Sequence, residues 1–172
     1  MNAFCTLVAR YKHMVFTVAN RVIRDQLDAE EVTQDVFIKI HDKLNDFHGT
    51  GKFSTWLYSI AYRTAISAVR RKRTVAISLD DPQVADVAAE MNGLDHMDRN
   101  LILENAMATL PPEDAAIVTM YHLEEMSVQE IVTVTGIGAS NVKVKLHRSR
   151  KRLSAILHQQ LKSEVWTLTT DG

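Results

Sequence analysis

The chain has 172 residues, 46% of them hydrophobic and 24% charged, which suits one globular domain or two small ones. A formal net charge of −1 conceals any electrostatic signal of a nucleic-acid partner. The single cysteine, Cys5, excludes an internal disulfide and argues against a cysteine-based zinc site. No apolar run approaches a membrane span and no signal peptide is visible at the start, so a soluble protein of a reducing compartment is expected.

Charge is sorted along the chain. Residues 1–73 hold 12 Lys/Arg against 7 Asp/Glu, residues 74–98 hold none against 6, and residues 99–172 hold 8 against 8. Leu7, Val8, Tyr11, Val15, Val18 and Val22 recur at helical spacing, which predicts a core-facing helix over residues 3–22 with no chemistry on it. Arg24–Asp25–Gln26–Leu27 breaks that pattern. A second helix is expected from Asp28 as N-cap, with Glu31 at the capping-box position, to about Asn45. Val32, Val36, Ile40 and Leu44 form its apolar stripe, helped by Phe37. Its other side offers Glu31, Gln34, Asp35, Lys39 and Asp42, which serve either as a solvated face or as a mixed-charge docking face.

Residues 46–52 read as a loop, with Gly49 and Gly51 close together. A third helix follows, with Phe53, Trp56, Leu57, Ile60 and Ala61 on its core stripe and Arg70–Arg71–Lys72–Arg73 at its end. Tyr58, Tyr62, Arg63 and Ser67 lie off the stripe. No acidic residue occurs from Phe47 to Leu79. Cations that track phosphates beside rings that stack on unpaired bases suit single-stranded DNA, although a basic last turn also complements the helix dipole. Trp56 falls on the apolar stripe and belongs to the core; Tyr58 and Arg63 are the better candidates for contact.

Residues 74–97 lose the pattern, hold only acidic charge with Pro82 and Gly93, and read as a linker with room for a short helical piece. A helix from about Arg99 to Thr109 follows. Leu110–Pro111–Pro112–Glu113–Asp114 then opens another, running to about Glu124, because proline and acids belong at a helix start.

Ser127 to Arg152 is the most informative stretch. Ser127 and Glu130 have capping-box spacing, Ile131, Val132 and Val134 give an apolar side, and Gly136 supplies the positive φ that ends a helix. Ser140 or Ala139 opens the next helix, which is expected to reach about Leu161. Val142, Leu146 and Leu153 share one stripe. Asn141, Val144, Arg148 and Lys151 project opposite it, with Lys143 and His147 on one shoulder. A helix, a glycine turn and a basic helix form the layout that puts a recognition helix into a DNA major groove; an ordinary hairpin with a solvated basic face is the plain alternative. Residues 163–172 read as a frayed tail.

No catalytic or metal motif is present. The seven histidines are scattered, and there is no HExxH, no phosphate loop, no GxGxxG and no GxSxG. The expectation is therefore no enzyme, no cofactor and no metal.

DAEEVTQDVFIKI, followed by FHGTGKFSTWLYSIAYRTAISAVRRKR, resembles domain 2 of the extracytoplasmic-function sigma factors of bacterial RNA polymerase. LPPEDAAIVTMYHLEEMSVQEIVTVTGIGASNVKVKLHRSRKRL resembles domain 4 of the same group. The resemblance implies an all-α fold of two small helical domains joined by an acidic flexible linker. Domain 2 would span residues 1–74, the linker 75–97, domain 4 98–162 and a tail 163–172. It implies a cytoplasmic, nucleoid-associated protein without membrane insertion, whose partners are core RNA polymerase (β′ clamp and β flap), duplex and single-stranded promoter DNA, and an anti-sigma factor for which the sequence offers no nameable site. Glu31, Gln34, Asp35 and Lys39 would dock on the β′ clamp. His48, Gly49, Thr50, Lys52, Tyr58, Arg63, Ser67 and Arg70 would hold the minus-ten strand. Ser140, Asn141, Lys143, Val144, His147 and Arg148 would meet the minus-thirty-five element, with Lys145, Arg150 and Lys151 on phosphates. Val144 offers only apolar contact, and the loop HGTGK departs from any fixed pattern, which leaves the captured base open. A stand-alone helix-turn-helix regulator of duplex DNA would explain residues 127–152 but would leave residues 47–73 idle. An all-helical adaptor that contacts only proteins would make both basic faces coincidental.

Overall fold

The computed structural model describes the backbone of residues 3–78 and 99–170 and the side chains of residues 3–74 and 101–159. Among the described residues all regular structure is helical: α1 (Ala3–Ile23), α2 (Gln26–Lys43), a short 3-10 turn (Leu44–Asp46), α3 (Phe53–Ser78), α4 (Arg99–Ala108), α5 (Pro112–His122), α6 (Val128–Thr135) and α7 (Ala139–Thr170).

Helix α1 forms where the apolar spacing placed it, burying Val15, Val18, Ala19 and Val22. It stops at Arg24, which takes a left-handed φ of 62°, a conformation few non-glycine residues adopt. The start of α2 differs from expectation. Asp25, not Asp28, is the N-cap, and its carboxylate accepts the Asp28 N–H at 2.9 Å. Both aspartates suit a cap; the turn at Arg24 leaves Asp25 extended at the right point, so the helix begins at Gln26. Val32, Val36, Phe37 and Ile40 are buried as expected. Helix α3 then packs on both α1 and α2.

In the second half, Pro111 caps α5, Pro112 opens it, and Glu113 and Asp114 sit in its first turn against the positive end of its dipole. Six consecutive residues of α5, Ala115 to Met120, are buried. A helix buried all round must be covered on every side. Helices α6 and α7 lie against it from its own half, and α1 lies against it from the other. With α3 on α6, the halves share one continuous apolar core.

Three sequence expectations change. Tyr58 and Tyr62 are buried rather than free, at 2% and 4% exposure, because the second half covers that side of α3. Helix α7 continues to Thr170 where a frayed tail was expected from residue 163; no glycine or proline interrupts that stretch. Residues 75–78, expected to open the linker, extend α3 instead; residues 79–97 of the expected linker lie outside the described ones.

Helix α6 ends as its sequence required. Gly136 has φ 75° and ψ 6°, and its N–H donates to the Val132 carbonyl at 2.8 Å. A methyl group added there would meet nothing within 4 Å, so conformation alone demands glycine. Gly136→Ala should therefore lower folding stability by about 1–2 kcal/mol, the cost of a left-handed non-glycine residue, measured by urea denaturation of the full chain.

Candidate nucleic-acid interface

The helix-turn-helix is built from local bonds. The Glu130 N–H donates to Ser127 Oγ at 3.2 Å, and the Ser127 N–H donates back to Glu130 Oε2 at 2.9 Å, which closes a reciprocal capping box. After Gly136, the Asn141 and Val142 N–H groups donate to the Gly138 carbonyl at 2.9 and 3.0 Å and start α7. Val142, Leu146 and Ser149 face inward and are buried. Ser140, Asn141, Lys143, Val144, His147, Arg148 and Lys151 are all exposed. Asn141, Val144, Arg148 and Lys151 recur at three- and four-residue steps, so one face of α7 presents them together.

Two of the basic residues are engaged elsewhere. Lys145 Nζ lies 2.6 Å from Asp114 Oδ1 and 2.8 Å from Glu113 Oε2, at the N-terminus of α5. Burial opposes its charge, but the hydrogen bonds to Asp114 and Glu113 win, and its pKa is raised. Its ammonium thus anchors α7 to α5 rather than projecting with Lys143. The Arg150 guanidinium lies 5.2 Å from the Tyr121 ring centre, and its Nε donates to His122 Nε2 at 3.2 Å. Burial and the adjacent Arg150 lower the pKa of His122.

In the first half, an aromatic cluster positions the loop. Phe47 stacks edge-on against Phe53 with ring centres 5.2 Å apart and lies 5.6 Å from Trp56; Tyr11 lies 5.6 Å from Phe53. Phe47 and Phe53 pin the two ends of the loop, which leaves His48, Gly49, Thr50 and Lys52 exposed between them, with Gly49 at φ 71°. Arg63, Ser67 and Arg70 are exposed on one stripe of α3. Tyr58 lies about 140° around the helix from that stripe at 100° per residue, so the structure does not bring it together with them. Lys52 is shared, exposed in the loop yet paired with Glu130 Oε1 at 2.8 Å.

On α2, Glu31, Gln34 and Lys39 are exposed and Asp35 is half-buried; Lys39 Nζ donates to Thr64 Oγ1 at 3.2 Å. Sequence reasoning missed two neighbours. Leu27 and Ile38 are 77% and 60% exposed and fall on the stripe of Glu31 and Gln34. Their signal was available, since neither fits the buried spacing of Val32, Val36 and Ile40. Among the described residues no group of His, Cys, Asp or Glu is arranged to hold a metal ion, and no helix is long and apolar enough to cross a membrane.

Two sequence families match this arrangement in order: Sigma-70 region 2 over residues 7–75 and Sigma-70, region 4, over residues 100–153. The chain is 25% identical over 163 residues to the ECF RNA polymerase sigma factor SigW of Bacillus subtilis, covering 88% of this chain and 87% of that one. This chain is an extracytoplasmic-function sigma factor. It is 26% identical to the RNA polymerase sigma-H factor of Pseudomonas aeruginosa, over 93% of this chain and 89% of that one. Its fold matches the sigma factor RpoE of Bartonella quintana, solved in complex with the anti-sigma factor NepR, with a TM-score of 0.73 at 18% identity, covering 92% of this chain and 98% of that one. It is an alternative sigma factor that directs promoter recognition for transcription initiation. Matches to both regions disfavour the stand-alone regulator, which would use only the second.

Glu130 is the electrostatic centre of the seam between the regions. The hydrogen bond from Lys52, then those from Ser127, hold its carboxyl at about 2, against an ordinary value of 4.5. A depressed carboxylate pKa stabilises the fold fully above its unfolded value, and this contribution is lost as pH falls through the folded value. Folding stability should therefore decline between about pH 4.5 and pH 2 partly through this group. Glu130→Gln should flatten the stability–pH curve in that window, followed by urea denaturation at stepped pH.

Proposed function

We propose that region 2 (residues 1–74) docks on core RNA polymerase and holds the opened minus-ten strand, while region 4 (residues 98–162) reads the minus-thirty-five duplex and contacts the β flap. The exposed basic face of α7, set behind a capped helix and a left-handed glycine, carries this reading. Asn141, Lys143, Val144, His147 and Arg148 enter the major groove. Ser140 and Lys151 lie along its phosphates, while Lys145 reaches a phosphate only by leaving Asp114 and Glu113. The loop His48–Lys52 takes an unstacked base, and Arg63, Ser67 and Arg70 guide the strand backbone beyond it. Tyr58, buried and on another side of α3, does not join them.

On α2, the stripe Leu27–Glu31–Gln34–Ile38, flanked by Asp35 and Lys39, supports docking on the β′ clamp: two apolar anchors with polar groups between them are what a helical partner surface requires. An anti-sigma protein is a further partner of this chain, as NepR is for the similar fold. The setting is the cytoplasm, at the nucleoid.

The deciding experiment is transcription in vitro with core bacterial polymerase on a genomic fragment library, with and without the chain. New discrete start sites that require the chain support the reading. Their absence, with duplex binding by the chain alone, would hand the function to a stand-alone regulator. Within that assay, Arg148→Ala should relax discrimination at one minus-thirty-five position by about 1–3 kcal/mol if it makes a bidentate base contact; equal weakening of all promoters would make it a phosphate contact. Ile38→Ser should weaken core binding by up to about 1.5–3 kcal/mol, the value of one buried aliphatic side chain, with the melting temperature of the free chain unchanged.

A further inference from the structure

The end of α5 presents Tyr121 and His122 to one cation of α7. The Arg150 guanidinium carbon lies 5.2 Å from the centre of the Tyr121 ring, and Arg150 Nε donates to His122 Nε2 at 3.2 Å. The Tyr121 and His122 rings meet edge to face, with centres 5.0 Å apart and planes at 78°. Each of the three side chains therefore touches the other two. An imidazole nitrogen that accepts a hydrogen bond carries no proton, and the lowered pKa of His122 agrees with that state. The platform beneath is fixed. Met120, next in the chain, is fully buried, and the Leu123 N–H donates to the Thr119 carbonyl at 2.9 Å to close α5.

A guanidinium is planar, with its N–H donors in a rigid fork. Resting its face on a ring and its Nε on an imidazole fixes the plane and the direction of the two remaining nitrogens. Among the described residues no protein group takes Arg150 Nη1 or Nη2, and no carboxylate pairs with its charge. Lys145 makes the contrast, since its ammonium is held by Asp114 and Glu113. Arg150 is exposed and follows Lys143 and His147 at four- and three-residue steps, so the three share one stripe of α7. That stripe flanks the face of Asn141, Val144 and Arg148. A fork with both Nη atoms free matches two oxygens of a phosphate.

We propose that Tyr121 and His122 are positioning residues for promoter binding: they hold Arg150 with Nη1 and Nη2 directed at one phosphate beside the minus-thirty-five element. The proposal rests on the reading of α7 as the helix that enters the major groove. A phosphate contact carries no sequence information. It sets the rotation of α7 against the DNA backbone, so that Lys143 and His147 meet base edges in a fixed register. Holding the arginine in place beforehand also removes the ordering cost that a free side chain meets on binding.

The test is binding of duplex genomic fragments, over a salt series, by holoenzyme reconstituted from core bacterial polymerase and the full chain. Arg150→Ala should weaken binding to every promoter by about tenfold, the value of one charge-assisted hydrogen bond. It should also lower the slope of log affinity against log salt by about one. His122→Ala should weaken binding by about threefold, because the arginine must then be ordered on binding. In the Arg150→Ala background the same change should add nothing. His122→Gln, whose side-chain carbonyl can accept from Nε, should recover most of the loss, which a role in packing alone would not allow. Tyr121→Phe keeps the ring under Arg150 and should bind as the wild type does. An unchanged melting temperature of each free variant separates these effects from folding. The proposal is overturned if His122→Ala leaves affinity unchanged, or weakens binding equally without Arg150, since His122 would then not act through the arginine. An unchanged salt slope for Arg150→Ala would overturn it too, by making the guanidinium a bond to α5 alone. Loss at one base position only would make Arg150 a base reader, with the same consequence. Wild-type holoenzyme that binds no fragment would instead overturn the reading of α7, and the proposal with it.

Discussion

A helix with no polar face has to be surrounded, and α5 is such a helix. Its residues Ala115 to Met120 are buried in succession, so no orientation of α5 leaves one side for water. Region 4 alone covers it with α6 and α7; α1 of region 2 supplies further cover. Much else follows from this constraint. Helix α7 is seated on α5 by Val142 and Leu146 inside and by Lys145 on the carboxylates of the α5 first turn, and its exposed face then points away from the core. The same burial draws region 2 down onto region 4, which sets α3 against α6 and hides Tyr58 and Tyr62.

Glu130 adds direction to that apolar contact. Its carboxylate completes the α6 cap while it also holds Lys52 and Thr55, so the group that starts the helix-turn-helix also registers it against the end of the loop that runs into α3. An apolar seam alone tolerates sliding; a charged bond with a cap behind it does not. Exposed as Lys52 is, the pair contributes little net energy in salt, and its larger effect is on register.

Local features were legible in the sequence because their causes are local. The Ser127–Glu130 box, the turn at Gly136 and the Pro112 start of α5 each depend on residues within a few positions of one another, and all three stand where expected. The start of α2 was displaced by three residues because Asp25 and Asp28 both offer a cap, and the choice lay in the left-handed turn at Arg24. The burial of Tyr58 was not legible from α3: its neighbour Glu124 comes from far along the chain, and nothing within α3 distinguishes a ring held for DNA from a ring held under another helix. A signal did exist in Ala115–Ala116–Ile117–Val118–Thr119–Met120. A run without a polar side already asks for more cover than one short hairpin gives. The exposed positions of α7 were read correctly as a face, but the engagement of Lys145 with Asp114 was not, since charge counts along a helix do not show which cations are already paired.

The same contacts decide which bonds hold the two halves together. The α1 side of α5 and the α6 side of α3 are covered by apolar side chains, and each buried aliphatic side chain uncovered would cost about 1.5–3 kcal/mol. The polar bonds at the rim, Arg21 to the Glu104 carboxylate and Lys52 to Glu130, contribute less because water competes for them. Cohesion therefore rests on the apolar cover, and the polar bonds fix where the two surfaces meet.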